Sequence, residues 1–336
     1  MELPPALARH RRELELFLRS LLDRPAAPLL YRMARYHLGW EDEHGVPAAS
    51  GGKGARPALC LLACEAAGGQ WQSALPAAAA VELVHNFSLI HDDIQDQDRE
   101  RHHRPAVWTV WGEAQAINAG DALLALARLA LTRLDGQAHN AAFVAQAGRV
   151  LDEATLEMVE GQVMDLDLEG RPRVGLEEYF DMVGRKTGAL FACALELGVL
   201  AAGADLAARE SFRRLGRSLG VAFQVRDDIL GVWGNEATTG KPTGADIARR
   251  KNSLPVVLAF GAAERSQADE LRRVYAGGDV PGVLTTFERL SVRRKCEQLA
   301  AEKAADAMNL LDSLELSSPA AAEIREVTSF LLEGEV

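Results

Sequence analysis

Apolar residues recur at three- and four-residue spacing along most of this chain, and strand-like alternation is scarce. That period is one face of an α-helix. It persists over 56–67, 77–95, 116–134, 141–168, 176–202, 209–232 and 290–314. Glycine and proline gather between these stretches, at 45–54, 101–105, 169–175, 234–244 and 277–282, where they end helices. No repeat of solenoid length appears, and no shift of composition marks a linker. The pattern predicts an all-α fold, with residues 1–336 as a single domain built as a large helical bundle. The run Ala77-Ala78-Ala79-Ala80-Val81 has no polar side to turn to water. Its helix is therefore expected to be buried on several sides, within a large bundle or at a subunit interface.

Charge narrows the partners. A formal net charge of -11 argues against nucleic acid and against anionic membrane surfaces. The N-terminus lacks a charged-then-apolar signal pattern, and no uninterrupted apolar run is long enough to span a bilayer. The expectation is a cytoplasmic protein that binds no nucleic acid and does not insert stably into membranes. Cys60, Cys64, Cys193 and Cys296 lack nearby ligand partners and read as small buried hydrophobes.

Two aspartate pairs stand out against this background. One is His91-Asp92-Asp93-Ile94-Gln95-Asp96; the other is Gln224-Val225-Arg226-Asp227-Asp228-Ile229. Adjacent carboxylates in apolar helices repel each other and lose hydration, so something positive should compensate. Hard divalent cations with oxygen ligands, their shell completed by a diphosphate, fit best. On the first helix Leu83, Phe87, Ile90 and Ile94 make an apolar stripe. His85, Ser88, Asp92 and Asp96 make a second one. Basic residues follow each pair: Arg99, Arg101, His102, His103 and Arg104 after the first, Lys241, Arg249, Arg250 and Lys251 after the second. Such groups grip phosphate oxygens when they lie beside a metal site; alone, a basic run is ordinary solvated surface.

In this order the residues resemble the trans-isoprenyl diphosphate synthases, or polyprenyl synthetases, from about residue 51 to 255. Gly51-Gly52-Lys53-Gly54-Ala55-Arg56-Pro57 is similar to the family's Gly-Gly-Lys-x-x-Arg-Pro loop. His85 precedes the first motif at the family's spacing. Asp92-Asp93-x-x-Asp96, Gly120-Asp121, Gly161-Gln162 with Asp165, Lys186-Thr187, Phe223-Gln224, Asp227-Asp228, Gly240-Lys241 and Lys251 match in turn. The resemblance implies an all-α bundle of the isoprenoid synthase type around a deep central cavity, usually a homodimer. It implies condensation of isopentenyl diphosphate with an allylic diphosphate, with three Mg2+ ions. Asp92, Asp93, Asp96, Lys186, Asp227 and Asp228 would carry the ionisation. Asp92 and Asp96 would hold two ions, and Asp227 with Asp228 the third. Arg101, Lys186, Thr187, Gln224, Lys241 and Lys251 would contact the allylic diphosphate or its metals. Lys53, Arg56 and His85 would bind the diphosphate of isopentenyl diphosphate.

The chain departs from the family pattern in places. His102 stands where a second arginine usually helps bind isopentenyl diphosphate, and His103 where glycine is usual. Gly231 replaces the third aspartate of the second motif, which predicts a more weakly held metal there. Phe87 and Ser88, just before the first motif, fall where the family sets product length. A bulky group followed by a small one resembles short-chain enzymes, geranylgeranyl diphosphate synthases above all, then those making fifteen carbons. A class I terpene cyclase on the same fold and a non-catalytic subunit of a heteromeric synthase are the competing readings. The first needs no second diphosphate site; the second tends to lose aspartates.

Overall fold

The computed structural model describes residues 3–48, 52–134, 140–169, 171, 174–234, 243–316 and 318–333. These are almost wholly helical. In chain order the helices are α1 (Pro5–Ala8), α2 (Arg11–Leu22), α3 (Pro28–His37), α4 (Ala55–Ala66), α5 (Trp71–Gln95), α6 (Val107–Trp111), α7 (Glu113–Leu131), α8 (Ala141–Leu168), α9 (Leu176–Val183), α10 (Ala189–Ala201), α11 (Leu206–Trp233), α12 (Ala245–Ala248), α13 (Leu254–Ala262), α14 (Arg265–Ala276), α15 (Val280–Arg289), α16 (Val292–Ser313) and α17 (Pro319–Glu333). Two predicted helices are divided. The stretch 176–202 is α9 and α10 with a π-helical turn, Gly184–Gly188, between them. The stretch 290–314 loses its start, because Ser291 takes a left-handed φ of 53° and separates α15 from α16.

The chain forms two compact units, one of Met1–Glu153, Cys193–Arg213 and Leu316–Val327, the other of Ala154–Ala192, Arg214–Glu315 and Thr328–Val336. In the first, α5 is the central helix, packed by α2, α4 and α7. Residues 77–81 are at most 1% exposed, as their lack of a polar face predicts. Each fully buried leucine on these helices, such as Leu59, Leu62 and Leu83, contributes on the order of 2 kcal/mol by leaving water. By length and composition α5 could cross a membrane, contrary to the sequence expectation, but 67% of its apolar window is buried inside the fold. That is the signature of a core helix. All four cysteines are buried free thiols.

In the second unit α13 packs on α16 and α9, and α14 on α15. Tyr179, Val225, Ile229, Val232, Ile247, Leu254, Phe260, Leu271 and Phe287 fill its core. The strand content among the described residues is a two-stranded hairpin, Glu100–Arg101 paired with Arg104–Pro105. His102 and His103 form its turn with φ of 52° and 59°. Two central residues at positive φ are what a right-twisted two-residue hairpin requires, which accounts for glycine being usual at the second of these positions.

Candidate active site

The first acidic motif ends α5. Asp92 and Asp93 lie in its last turn and Asp96 is its C-cap residue. The carbonyl end of a helix is itself negative, so three carboxylates there raise the cost of this site and the demand for cations. The three are not alike. Asp93 is buried, and the Arg101 fork donates to it: Nη2 to Oδ1 at 2.6 Å, Nε to Oδ1 at 2.8 Å and to Oδ2 at 3.0 Å. Burial pushes the Asp93 carboxyl up, and Arg101 works against that shift. Asp92 and Asp96 are half-buried and one turn apart, so they share the face that Asp93 leaves.

A cationic cluster belongs to the same unit. Arg56 lies in the first turn of α4 and Lys53, exposed, just before it, where the helix dipole and free N–H groups favour an anion. Arg56 Nη1 is 3.3 Å from Nε2 of the half-buried His85 on α5. Burial first, then the charges of Arg56 and Arg101, hold His85 well below its ordinary pKa. His37, on α3, joins this cluster. Burial, then Arg101 and His102, bring it down to about 3. His37, Arg101, His102 and Arg104 line one small pocket. Sequence reasoning missed His37, because it sits more than fifty residues before the motif and on another helix. His102 is exposed at the hairpin turn. Phe87 is buried edge-to-face against His91, ring centres 4.9 Å apart. The Ser88 hydroxyl donates to the His85 carbonyl at 2.8 Å.

The second unit holds the other motif on α11. Asp227 is exposed, whereas Asp228 is buried. Three donors surround Asp228: Tyr179 Oη and Leu254 N reach Oδ2 at 2.7 and 2.8 Å, and Gln224 Nε2 reaches Oδ1 at 2.9 Å. Burial, then the charge of Asp246, push its carboxyl up to about 7 against these donors. Gln224 is itself oriented by the Thr187 hydroxyl, which donates to its Oε1 at 2.8 Å. Lys186 pairs with Asp165 at 2.5 Å. Both Lys186 and Thr187 lie in the π-helical turn, a geometry common at functional sites. Lys251 is half-buried beyond α12; Lys241 lies outside the described residues.

Each motif thus has a buried aspartate serving as an anchor and a more open one facing outward. Sequence spacing separates Asp92 from Asp93 by about 100° of helix, yet only the packed structure shows which one turns inward. Among the described residues no three acidic, histidine or cysteine side chains converge on one point. The oxygen donors Asp92 and Asp96, one turn apart, still suit a hard divalent cation whose remaining shell comes from a diphosphate.

The profile of the polyprenyl synthetase family matches residues 46–282. The chain belongs to this family. A (2E,6E)-farnesyl diphosphate synthase of Mycobacterium tuberculosis is 40% identical over 325 residues, 94% of this chain and 89% of that protein. A geranylgeranyl diphosphate synthase of the same organism is 43% identical over 285 residues, 80% of this chain and 79% of that protein. A solved polyprenyl synthetase from Streptomyces coelicolor superposes with a TM-score of 0.89 at 37% identity, covering 98% of this chain and 99% of that one. Enzymes of this family use Mg2+.

Proposed function

We propose that this family member is a short-chain prenyltransferase that condenses isopentenyl diphosphate with an allylic diphosphate. Geranylgeranyl diphosphate is the product we favour, with Phe87 and Ser88 limiting its length. One observation carries the reading. Cationic Arg56 and the neutral His85 form a hydrogen-bonding pair on the same unit as Asp92 and Asp96, and His85 shares their helix. An enzyme that only ionises one allylic diphosphate has no use for a second anion site beside the first.

Mg2+ at each aspartate motif, held by Asp92 and Asp96 at the first and by Asp227 at the second, would stabilise the negative charge that develops on a leaving diphosphate. The chain's own residues do the rest. Asp93 fixes the Arg101 guanidinium by two parallel contacts, so it meets phosphate oxygens in a set orientation. Asp228 and Thr187 fix Gln224 in the same way. Lys186, Lys241 and Lys251 add positive charge for the allylic diphosphate. Lys53, Arg56 and neutral His85, with exposed His102, hold isopentenyl diphosphate so that its double bond lies beside the forming allylic cation. Apolar residues such as Phe87 keep water from that cation. The departing diphosphate takes the final proton, so no protein base is needed. A homodimer is part of the proposal. Leu156, Val159, Val163 and Leu166 form an exposed apolar stripe at helical spacing on α8, which a second copy would cover.

The test supplies dimethylallyl, geranyl and farnesyl diphosphates separately, each with and without isopentenyl diphosphate and Mg2+. Elongation to twenty carbons only with isopentenyl diphosphate is expected. A hydrocarbon from an allylic substrate alone would replace this reading with a cyclase. No product under any condition would leave a non-catalytic subunit.

A further inference from the structure

Lys251 stands in a turn that departs from regular structure. Arg250, just before it, takes a left-handed φ of 58°, which costs free energy for a residue with a Cβ. Such a conformation persists only where the surroundings hold it. Hydrogen bonds from several elements do so here. Lys251 N donates to Asp246 O at 3.1 Å. The Asn252 amide donates to Leu168 O at the end of α8. Leu254 N donates to Asp228 Oδ2 at 2.8 Å, and Tyr275 Oη donates to Lys251 O at 2.6 Å. Asp228 also accepts from Gln224 at 2.9 Å, so the turn and Gln224 are braced on one carboxylate.

The bond from Tyr275 differs from the others, because it comes from outside every motif. Tyr275 lies in the last turn of α14. Its ring is buried and edge-on to Phe260, with centres 6.2 Å apart. Burial, then the charge of Asp246, push the hydroxyl above its ordinary pKa, so it stays a donor. The packed ring makes that hydroxyl a fixed point. With its N–H and its C=O both bound, Lys251 has φ and ψ set, and these are the backbone's soft angles. The direction in which its side chain leaves the backbone is then set too. A lysine is a point charge on a flexible stem, so what it can reach depends on where that stem starts.

We infer that Tyr275 is a positioning residue whose hydroxyl aims Lys251 at the allylic diphosphate. It acts on the substrate only through Lys251. The inference rests on the proposed function and extends it to a helix, α14, that carries none of the motifs.

The experiment measures, by calorimetry with Mg2+, the affinity of the full-length protein for farnesyl thiolodiphosphate, an allylic analogue that does not ionise readily, and for isopentenyl diphosphate. It compares wild type, Tyr275→Phe, Lys251→Ala and the double variant, with melting temperatures to report folding. Tyr275→Phe keeps the ring and removes the hydroxyl. It should weaken binding of the allylic analogue about fivefold, the worth of one hydrogen bond, and leave isopentenyl diphosphate unchanged. In the Lys251→Ala background the same change should alter affinity by less than about twofold, because no ammonium is left to aim. Unchanged affinity for the analogue in a folded Tyr275→Phe overturns the inference. So does an equal loss with and without Lys251, or an equal loss for both ligands. A Tyr275→Phe that no longer folds shows a structural bond and overturns it too. A wild type that binds neither ligand would instead overturn the proposed function, and this inference with it.

Discussion

Asp93 carries a charge that water barely reaches, and the Arg101 guanidinium offsets it. Breaking such a pair from one side leaves the other charge uncompensated. Asp93→Asn should therefore destabilise the protein by about 2 kcal/mol, below the usual cost for fully buried pairs because Arg101 is partly exposed. Urea unfolding measures this, and the same variant should raise KM for the allylic diphosphate as Arg101 loses its orientation. His37 gives a pH signature. Its folded pKa is about 3 against 6.5 unfolded, so below 6.5 the unfolded chain binds the extra proton. Stability is then intact above pH 6.5 and lost as pH falls from 6.5 towards 3, with a slope near 1 kcal/mol per pH unit for a partly exposed group. The difference in unfolding free energy between wild type and His37→Gln should be flat above pH 6.5 and fall below it; a difference independent of pH would refute the neutral form of His37. Phe87→Ala should lengthen the product if this ring is what stops the chain, and an unchanged product distribution would remove Phe87 from that role.

At the scale of elements, the π-helical turn Gly184–Gly188 is where sequence periodicity and structure part. A Cβ on Gly161 of α8 would overlap Lys186 N and lie 2.7 Å from Lys186 Cα. The turn that carries Lys186 and Thr187 is thus seated against α8 at backbone distance, and only glycine permits it. Gly161→Ala should cost roughly 2 kcal/mol through this overlap and lower kcat by displacing Lys186. Gly148, thirteen residues earlier on the same helix, is the control. A Cβ there meets nothing nearer than Arg128 Nη2 at 3.6 Å, so Gly148→Ala should stabilise by roughly 0.5 kcal/mol. Equal effects at both positions would show that helix propensity, not the seating of the turn, decides the outcome.

For the whole molecule, the exposed apolar stripe on α8 is the feature that a lone chain leaves unexplained. Leu156 and Val163 are each 61% exposed and lie two turns apart. Charges placed there would be desolvated by a partner, so Leu156→Glu combined with Val163→Glu should shift the protein from dimer to monomer in light scattering after size exclusion. A wild type that is itself a monomer at micromolar concentration would refute the dimer. The membership of the chain in the polyprenyl synthetase family was legible before any coordinates, because its motifs are short and local. Asp92-x-x-x-Asp96, Lys186-Thr187 and Asp227-Asp228 depend on helical spacing alone.

Helical periodicity by itself determined the fold class, the ends of α8 and the burial of the alanine run on α5, since each follows from which residues can face water. It also placed Asp92 and Asp96 on one face, because residues four apart always share one. Other features came only with tertiary packing. Asp93 and Asp228 turned inward to their donors, His37 came beside His85 from a distant helix, and the Tyr275 hydroxyl met the Lys251 carbonyl. Each of these depends on a neighbour supplied by another part of the chain. Local spacing carries no information about such neighbours, and burial fixes them only when whole helices dock.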